Sequence, residues 1–278
     1  MIRILSILVG LFFTVALAWS FANGAYLAIT EPESATAEHV FHKHPRELQL
    51  ASDGPLGRFD RQQLQRGFQV YKEVCAACHS LRHVAFRDLR ALGYSEDEVK
   101  AIAAGFTVPG IDQATGEVNT RPGLPTDFFP KPFPNDIAAR AANNNAVPPD
   151  LSLMTKARHE GPAYVYSLLT GYQDQPASLL KQFPDAKTPN GLHYNPYFPN
   201  LNLAMPPPLT SEGQVSYGDG TKATVDQMAQ DVSAFLVWTA EPKLDKRKQT
   251  GWPVLGFLLF ATILGYMAYR QIWAGRKH

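Results

Sequence analysis

The chain has almost no cysteine: Cys75 and Cys78 are the two in 278 residues. That leaves no disulfide framework to staple a small scaffold, so any fold must come from packing. Charge of one sign is missing too, with 26 basic against 25 acidic residues and a net charge of +1. The balance gives no argument for nucleic acid or for a polybasic membrane surface as partner. There is no internal repeat and little continuous strand alternation, which points to a mainly α fold. Proline, in contrast, is plentiful at 22 and clusters in "FFPKPFPN", "VPPDL", "NPYFPN" and "AMPPPL". Such segments cannot run as helix or central strand and predict long, ordered, irregular loops.

Two apolar runs stand at the ends. Arg3 is followed by an apolar stretch from Ile4 to Ala18 and then by small residues around Ala22, Gly24 and Ala25. This is the layout of a secretory signal peptide over residues 1–24, with cleavage before Ala25; "ATA" at Ala35 to Ala37 is a later small-residue site, and an uncleaved anchor is the alternative. The run from Trp252 to Tyr269 carries no charge and is about the minimum length for a bilayer span. Trp252 at one end and Tyr266, Tyr269 and Trp273 at the other suit the two interfaces. Residues 252–270 are therefore the predicted membrane anchor. Lys243, Lys246, Arg247 and Lys248 precede it and Arg270, Arg276 and Lys277 follow, so basic flanks do not orient it. The export signal does, placing the body of the chain outside the cytoplasm and residues 271–278 inside. Between the ends lie an extended N-terminal segment (25–58), a domain (59–242) and a basic hinge (243–251).

Within the domain, Asp60 caps a helix that sets Leu64, Phe68, Tyr71 and Val74 on one face and carries the cysteines at its C-terminal end. Ser95 and Glu98 have capping-box spacing. "DIAARAA" is a brief helical turn, and "EGPAYVYSLLTGY" reads as a helix ended by Gly171. From Gln173 to Leu209 the signals are loops. A last soluble helix aligns Val225, Met228, Ala229, Val232, Phe235, Leu236 and Thr239 before Pro242 stops it.

Three chemistries use cysteines two residues apart. A thioredoxin-type site places the pair at a helix N-terminus after a strand, whereas here it ends a helix. A zinc site could draw on Cys75, Cys78 and His83, but adjacent Cys78 and His79 rarely share one ion and no second ligand pair follows. Covalent attachment of one haem c explains each fixed residue of C-x-x-C-H: two thioethers from Cys75 and Cys78, and the imidazole of His79 on the iron. It also accounts for an exported chain without disulfides. His83 then reads as packing or surface contact, and His39, His42 and His44 as part of an exposed arm. For the opposite iron face the candidates are Met154, His159, His193, Met205 and Met228. Met228 belongs to an apolar helix stripe, Met154 sits among leucines, and the two histidines lie in polar surroundings. Met205, in "LAMPPPL", is held by a stiff proline loop and is the preferred ligand.

These pieces resemble the cytochrome c1 family, the c-haem subunits of the cytochrome bc1 complex. The resemblance runs through "QRGFQVYKEVCAACHS", "FFPKPFPN", "AARAANNNAVPPDLS", "YVYSLLTGY", "YNPYFPN", "AMPPPL" and "MAQDVSAFLVWTAEP", in the family's order, and covers nearly all of the exported part. It implies a class I cytochrome c core with long loop insertions, His79 and Met205 as axial ligands, and Arg140 near a haem propionate. It further implies an electron-transfer subunit of a ubiquinol:cytochrome c oxidoreductase, with no bond chemistry and no catalytic residue of its own. Electrons would come from a Rieske iron–sulfur protein and leave to a cytochrome c, in a dimeric complex with cytochrome b. The loop from Gln173 to Tyr194 lacks the additional cysteine pair of some bacterial members, so its stiffness must come from proline and packing. The N-terminal signal is bacterial rather than mitochondrial in character, which puts the protein in a bacterial cytoplasmic membrane with the haem domain in the periplasm. An acidic run at Glu96, Asp97 and Glu98 is a candidate docking patch, more simply explained as helix N-terminal charge.

Overall fold

The computed structural model describes residues 2–30 and 36–276; the Ala35 end of the "ATA" site and Lys277 of the tail lie outside them. In chain order the helices are α1 (Ile2–Thr30), α2 (Ala37–Phe41), α3 (Arg61–Val70), α4 (Glu96–Ala104), α5 (Asp136–Ala142), α6 (Met154–Ala157), α7 (Gly161–Thr170), α8 (Ala177–Gln182), α9 (Val225–Ala240) and α10 (Leu244–Trp273). Strand is confined, among the described residues, to two antiparallel pairs: β1 (Thr107–Ile111) with β2 (Val118–Pro122), and β3 (His193–Tyr194) with β4 (Asn202–Leu203). The fold is mainly α.

The core forms where α3 crosses α9. Asp60 starts α3 by accepting the amides of Gln62 and Gln63, and Thr224 starts α9 by accepting that of Gln227. The apolar faces expected from the spacing meet here: Leu64, Phe68 and Tyr71 bury against Val232, Phe235 and Leu236. Gly67 lets the two backbones touch, because a Cβ there would come within 2.0 Å of the Asp231 carbonyl oxygen. Around the crossing Phe68, Tyr71, Phe86, Phe106 and Phe129 form edge-on and tilted ring pairs, the tightest at 4.4 Å between Phe86 and Phe129. A buried ion pair crosses the same junction. Asp231, fully inaccessible, accepts Arg66 Nε at 2.9 Å and Gln227 Nε2 at 2.9 Å, while Arg66 also reaches Asp219 at 2.7 Å.

Ser95 and Glu98 make the expected capping box of α4. Gly171 ends α7 without a left-handed turn, at φ −100°. It is glycine for a different reason: a Cβ would meet the Tyr197 ring at 2.4 Å. The N-terminal arm is docked and not loose. Ala37 and Phe41 of α2 pack on Leu179 and Phe183, and Lys43 N donates to the Pro196 carbonyl at 2.8 Å.

Both α1 and α10 are long and apolar enough to cross a membrane, and within α10 only Leu244 is buried against the domain. The basic stretch before the span is helical, where a hinge was expected. Lys248 Nζ donates to the carbonyls of Ser52, Gly54 and Gly57 at 2.6, 2.6 and 3.2 Å, and Asp245 accepts the amide of Phe59. Lys248 and Asp245 thereby fasten the start of α10 to the domain.

Candidate functional site

The site is built on the backbone that follows α3. After Val70 the backbone widens into a π-turn, Tyr71–Cys75, in which Ala76 N donates to the Tyr71 carbonyl at 2.8 Å. Cys78 N and His79 N then both donate to the Cys75 carbonyl, at 3.1 and 2.9 Å. One tight turn therefore carries both half-buried, unpaired thiols and the imidazole. Burial, with a smaller contribution from Cys78, pushes the Cys75 thiol up to about 12.

His79 is fixed through its other nitrogen. Nδ1 lies 2.7 Å from the Pro149 carbonyl oxygen, an acceptor only, so Nδ1 carries the proton and Nε2 presents its lone pair. Burial lowers the imidazole's pKa, against the opposing pull of the Pro149 carbonyl and the Asp150 charge, which keeps the ring neutral near pH 7. Two thiols and one neutral imidazole with an oriented lone pair are the donor set that a thioether-linked haem requires. The Tyr71 hydroxyl donates to the His79 carbonyl at 3.1 Å, and burial pushes this phenol's pKa up.

The remaining sequence candidates separate cleanly. Met205 is half-buried in the loop after β4, where the Tyr172 hydroxyl donates to its carbonyl at 3.0 Å. Tyr172 follows α7, whose packing on α9 connects this loop to the domain core. A cavity of about 530 Å³ adjoins the loop, lined by Tyr172, Gln175, Thr188, His193, Tyr194 and Pro207. Arg140 is an exposed residue of α5 and donates to the Asn145 carbonyl at 2.9 Å. Met228 is fully buried core, and Met154 packs half-buried against the same core. His159 is exposed, while His193 is half-buried in β3 beside the cavity. His83 is exposed beside the Arg82 guanidinium, and His39, His42 and His44 are exposed. Among the described residues no group of three or more His, Cys, Asp or Glu side chains converges as a metal cluster. Sequence reasoning missed Tyr71 as a polar support, Tyr172 as the anchor of the Met205 loop, and Asp150, which sits inside a quoted motif without being singled out.

Comparison with known proteins agrees along the whole domain. The model of the Cytochrome C1 family matches residues 50–276. Cytochrome c1 of Rhodospirillum rubrum is 48% identical over 234 residues, covering 81% of this chain and 86% of that protein. The mitochondrial cytochrome c1 heme protein of Saccharomyces cerevisiae is 42% identical over 250 residues, 90% of this chain and 78% of the other. A protein named cytochrome b/c1, from Bradyrhizobium diazoefficiens, is 47% identical over 236 residues, 80% of this chain but 34% of that longer protein. On these grounds the chain belongs to the cytochrome c1 family, the haem-containing electron-transfer subunits of the bc1 complex.

Proposed function

We propose that this chain carries one haem c, which Cys75 and Cys78 would hold covalently and His79 Nε2 and the Met205 sulfur would hold at its iron, and that it relays electrons from a Rieske iron–sulfur protein to a cytochrome c. The observation that carries the reading is the hydrogen bond from His79 Nδ1 to Pro149, made on the same turn as two unpaired thiols. When bound, such a group supplies a one-electron iron couple, and a thioether ligand favours its reduced form. The chain's own work is positional. The π-turn and the Cys75 carbonyl fix where the thiols and imidazole project, Tyr172 holds the Met205 backbone, and Arg140 is the cation assigned to a propionate.

In this reading the protein works in a dimeric complex with cytochrome b and the Rieske protein. The relative named cytochrome b/c1 supports the first of these partners. Residues 1–24 serve as an export signal, α10 is the single-pass anchor, and the domain of residues 59–242 faces the periplasm of a bacterium. Haem staining of a denaturing gel, with intact mass, tests the covalent link; bare polypeptide from exported material refutes it. Met205→Leu is expected to lower the reduction potential and open the iron to carbon monoxide, and an unchanged spectrum and potential would remove Met205 from the ligand set. Detergent pull-down through the C-terminus should bring b-type haem and an iron–sulfur protein; purification of this chain alone favours an independent anchored cytochrome.

A further inference from the structure

The segment that follows His79 is sewn to the segment around Asp150, and one carboxylate makes two of the stitches. Asp150 Oδ2 accepts the Ser80 hydroxyl at 2.7 Å and the Arg82 amide at 2.9 Å, and Oδ1 accepts the Ser152 amide at 3.0 Å. Leu151 N donates to the Ser80 carbonyl at 2.9 Å, and His83 N donates to the hydroxyl of fully buried Ser152 at 3.2 Å. Asp150's side chain is 17% exposed, whereas the Arg82 guanidinium, 4.0 Å away and 61% exposed, is screened by water and adds little. The carbonyl that accepts the hydrogen bond from His79 Nδ1 belongs to Pro149, immediately before Asp150. Pro148 and Pro149 fix the backbone torsions on one side of that carbonyl. The carboxylate fixes the other side.

We propose that Asp150 is a positioning residue: its carboxylate holds the Pro149 carbonyl against the His79 ring and thereby sets the tautomer and donor strength of the iron-binding nitrogen. The proposal rests on the reading of His79 as haem ligand. A bond to the distal ring nitrogen is a general determinant of how strongly a histidine donates to its metal. What is particular to this chain is that the acceptor is immobilised by one side chain bridging residues 80, 82 and 152.

Asp150→Asn tests it in the full-length, haem-loaded chain in detergent. The amide keeps the size but has one acceptor oxygen, so whichever way it flips at least one of the three donors loses its partner. With haem retained by gel stain, deuterium exchange of the His79 Nδ1 proton, followed by 15N-histidine NMR of the reduced protein, is expected to quicken about tenfold. The one-electron equilibrium should move about tenfold toward the reduced state, about 59 mV upward. Amides at the α3–α9 crossing should be unaffected. Ser80→Ala keeps the carboxylate and both amide donors, and should move both readouts the same way by a smaller factor; it serves if the asparagine variant does not accumulate. Unchanged ring exchange in a variant that retains haem overturns the proposal, even if thermal stability falls, because Asp150 is then only a loop staple. A potential shift without faster exchange overturns it as well, being a charge effect alone. Wild-type chain without haem would instead overturn the assignment of His79.

Discussion

Replacing Gly67 with alanine sets two familiar effects against each other. Alanine is the better helix former by about 1 kcal/mol, which favours the variant. At the α3–α9 crossing, however, the new methyl would lie 2.0 Å from the Asp231 carbonyl oxygen and 2.7 Å from Phe235 Cβ, where ordinary contact begins at 3.4 Å. The obstacle is helix backbone and cannot rotate away, so the helices must part by roughly an ångström. A gap of about 0.5–1 Å forfeits a quarter to a half of each van der Waals contact, and Leu64, Phe68, Tyr71, Val232 and Leu236 all lose along the seam. Overpacking of this kind costs about 1–3 kcal/mol, at the upper end when backbone is involved. After the propensity gain, the expected net loss is about 2 kcal/mol. Urea unfolding of the haem-loaded chain in mild detergent, followed by near-ultraviolet circular dichroism, reads this as a lower midpoint at unchanged slope. Gly105→Ala is the control, since that residue ends α4 at φ −75° and its added methyl meets only helix carbonyls at 3.3 and 3.8 Å. If Gly67→Ala holds its midpoint or raises it, the close crossing described above is wrong.

Asp231→Asn should destabilise by about 3 kcal/mol in the same assay, because it strips the buried partner from Arg66; retention of Asp219 keeps the loss at the low end for such pairs. Asp219 is held at about 2, below its ordinary 3.8, first by the Thr221 amide and then by Arg66. A depressed carboxylate stabilises fully above its unfolded value, so its contribution is present above pH 3.8 and disappears as pH falls toward 2. Asp219→Asn should therefore flatten the acid limb of a stability–pH curve over that window; an unaltered limb counts against the Arg66 network. Lys248→Met leaves the carbonyls of Ser52, Gly54 and Gly57 without their cation, and hydrogen exchange in residues 50–58 should accelerate by at least tenfold. Equal protection in that loop would mean the lysine contacts carry no weight.

Local signals were legible in the sequence, and long-range ones were not. The Asp60 and Ser95 caps, the stripes of α3 and α9 and the C-x-x-C-H turn each depend on neighbours a few residues apart, and the structure has the corresponding helices and turn. The β1–β2 hairpin escaped because only Val108 is buried in it, and Pro109 and Gly110 interrupt the alternation that would announce a strand. α8 was hidden among prolines and is held by packing on α2. Gly171 was located as a helix end, but the reason for glycine there is a ring from Tyr197 that no local pattern reveals. Arg66 with Asp231, Tyr172 with Met205, and Lys248 with the loop at 52–57 each join distant parts of the chain. For the site, the C-x-x-C-H turn could be read directly, whereas its supports, Tyr71, Asp150 and Tyr172, act through hydroxyl and carboxylate contacts whose partners only the fold brings near.

α10 runs unbroken from Leu244 to Trp273, about 45 Å of rod at helical rise, with its first turns fastened to the domain. A rod of this length that crossed a bilayer would meet a change in thickness by tilting. Pro253, which removes one rung of the helix near the membrane edge, is a built-in point of give.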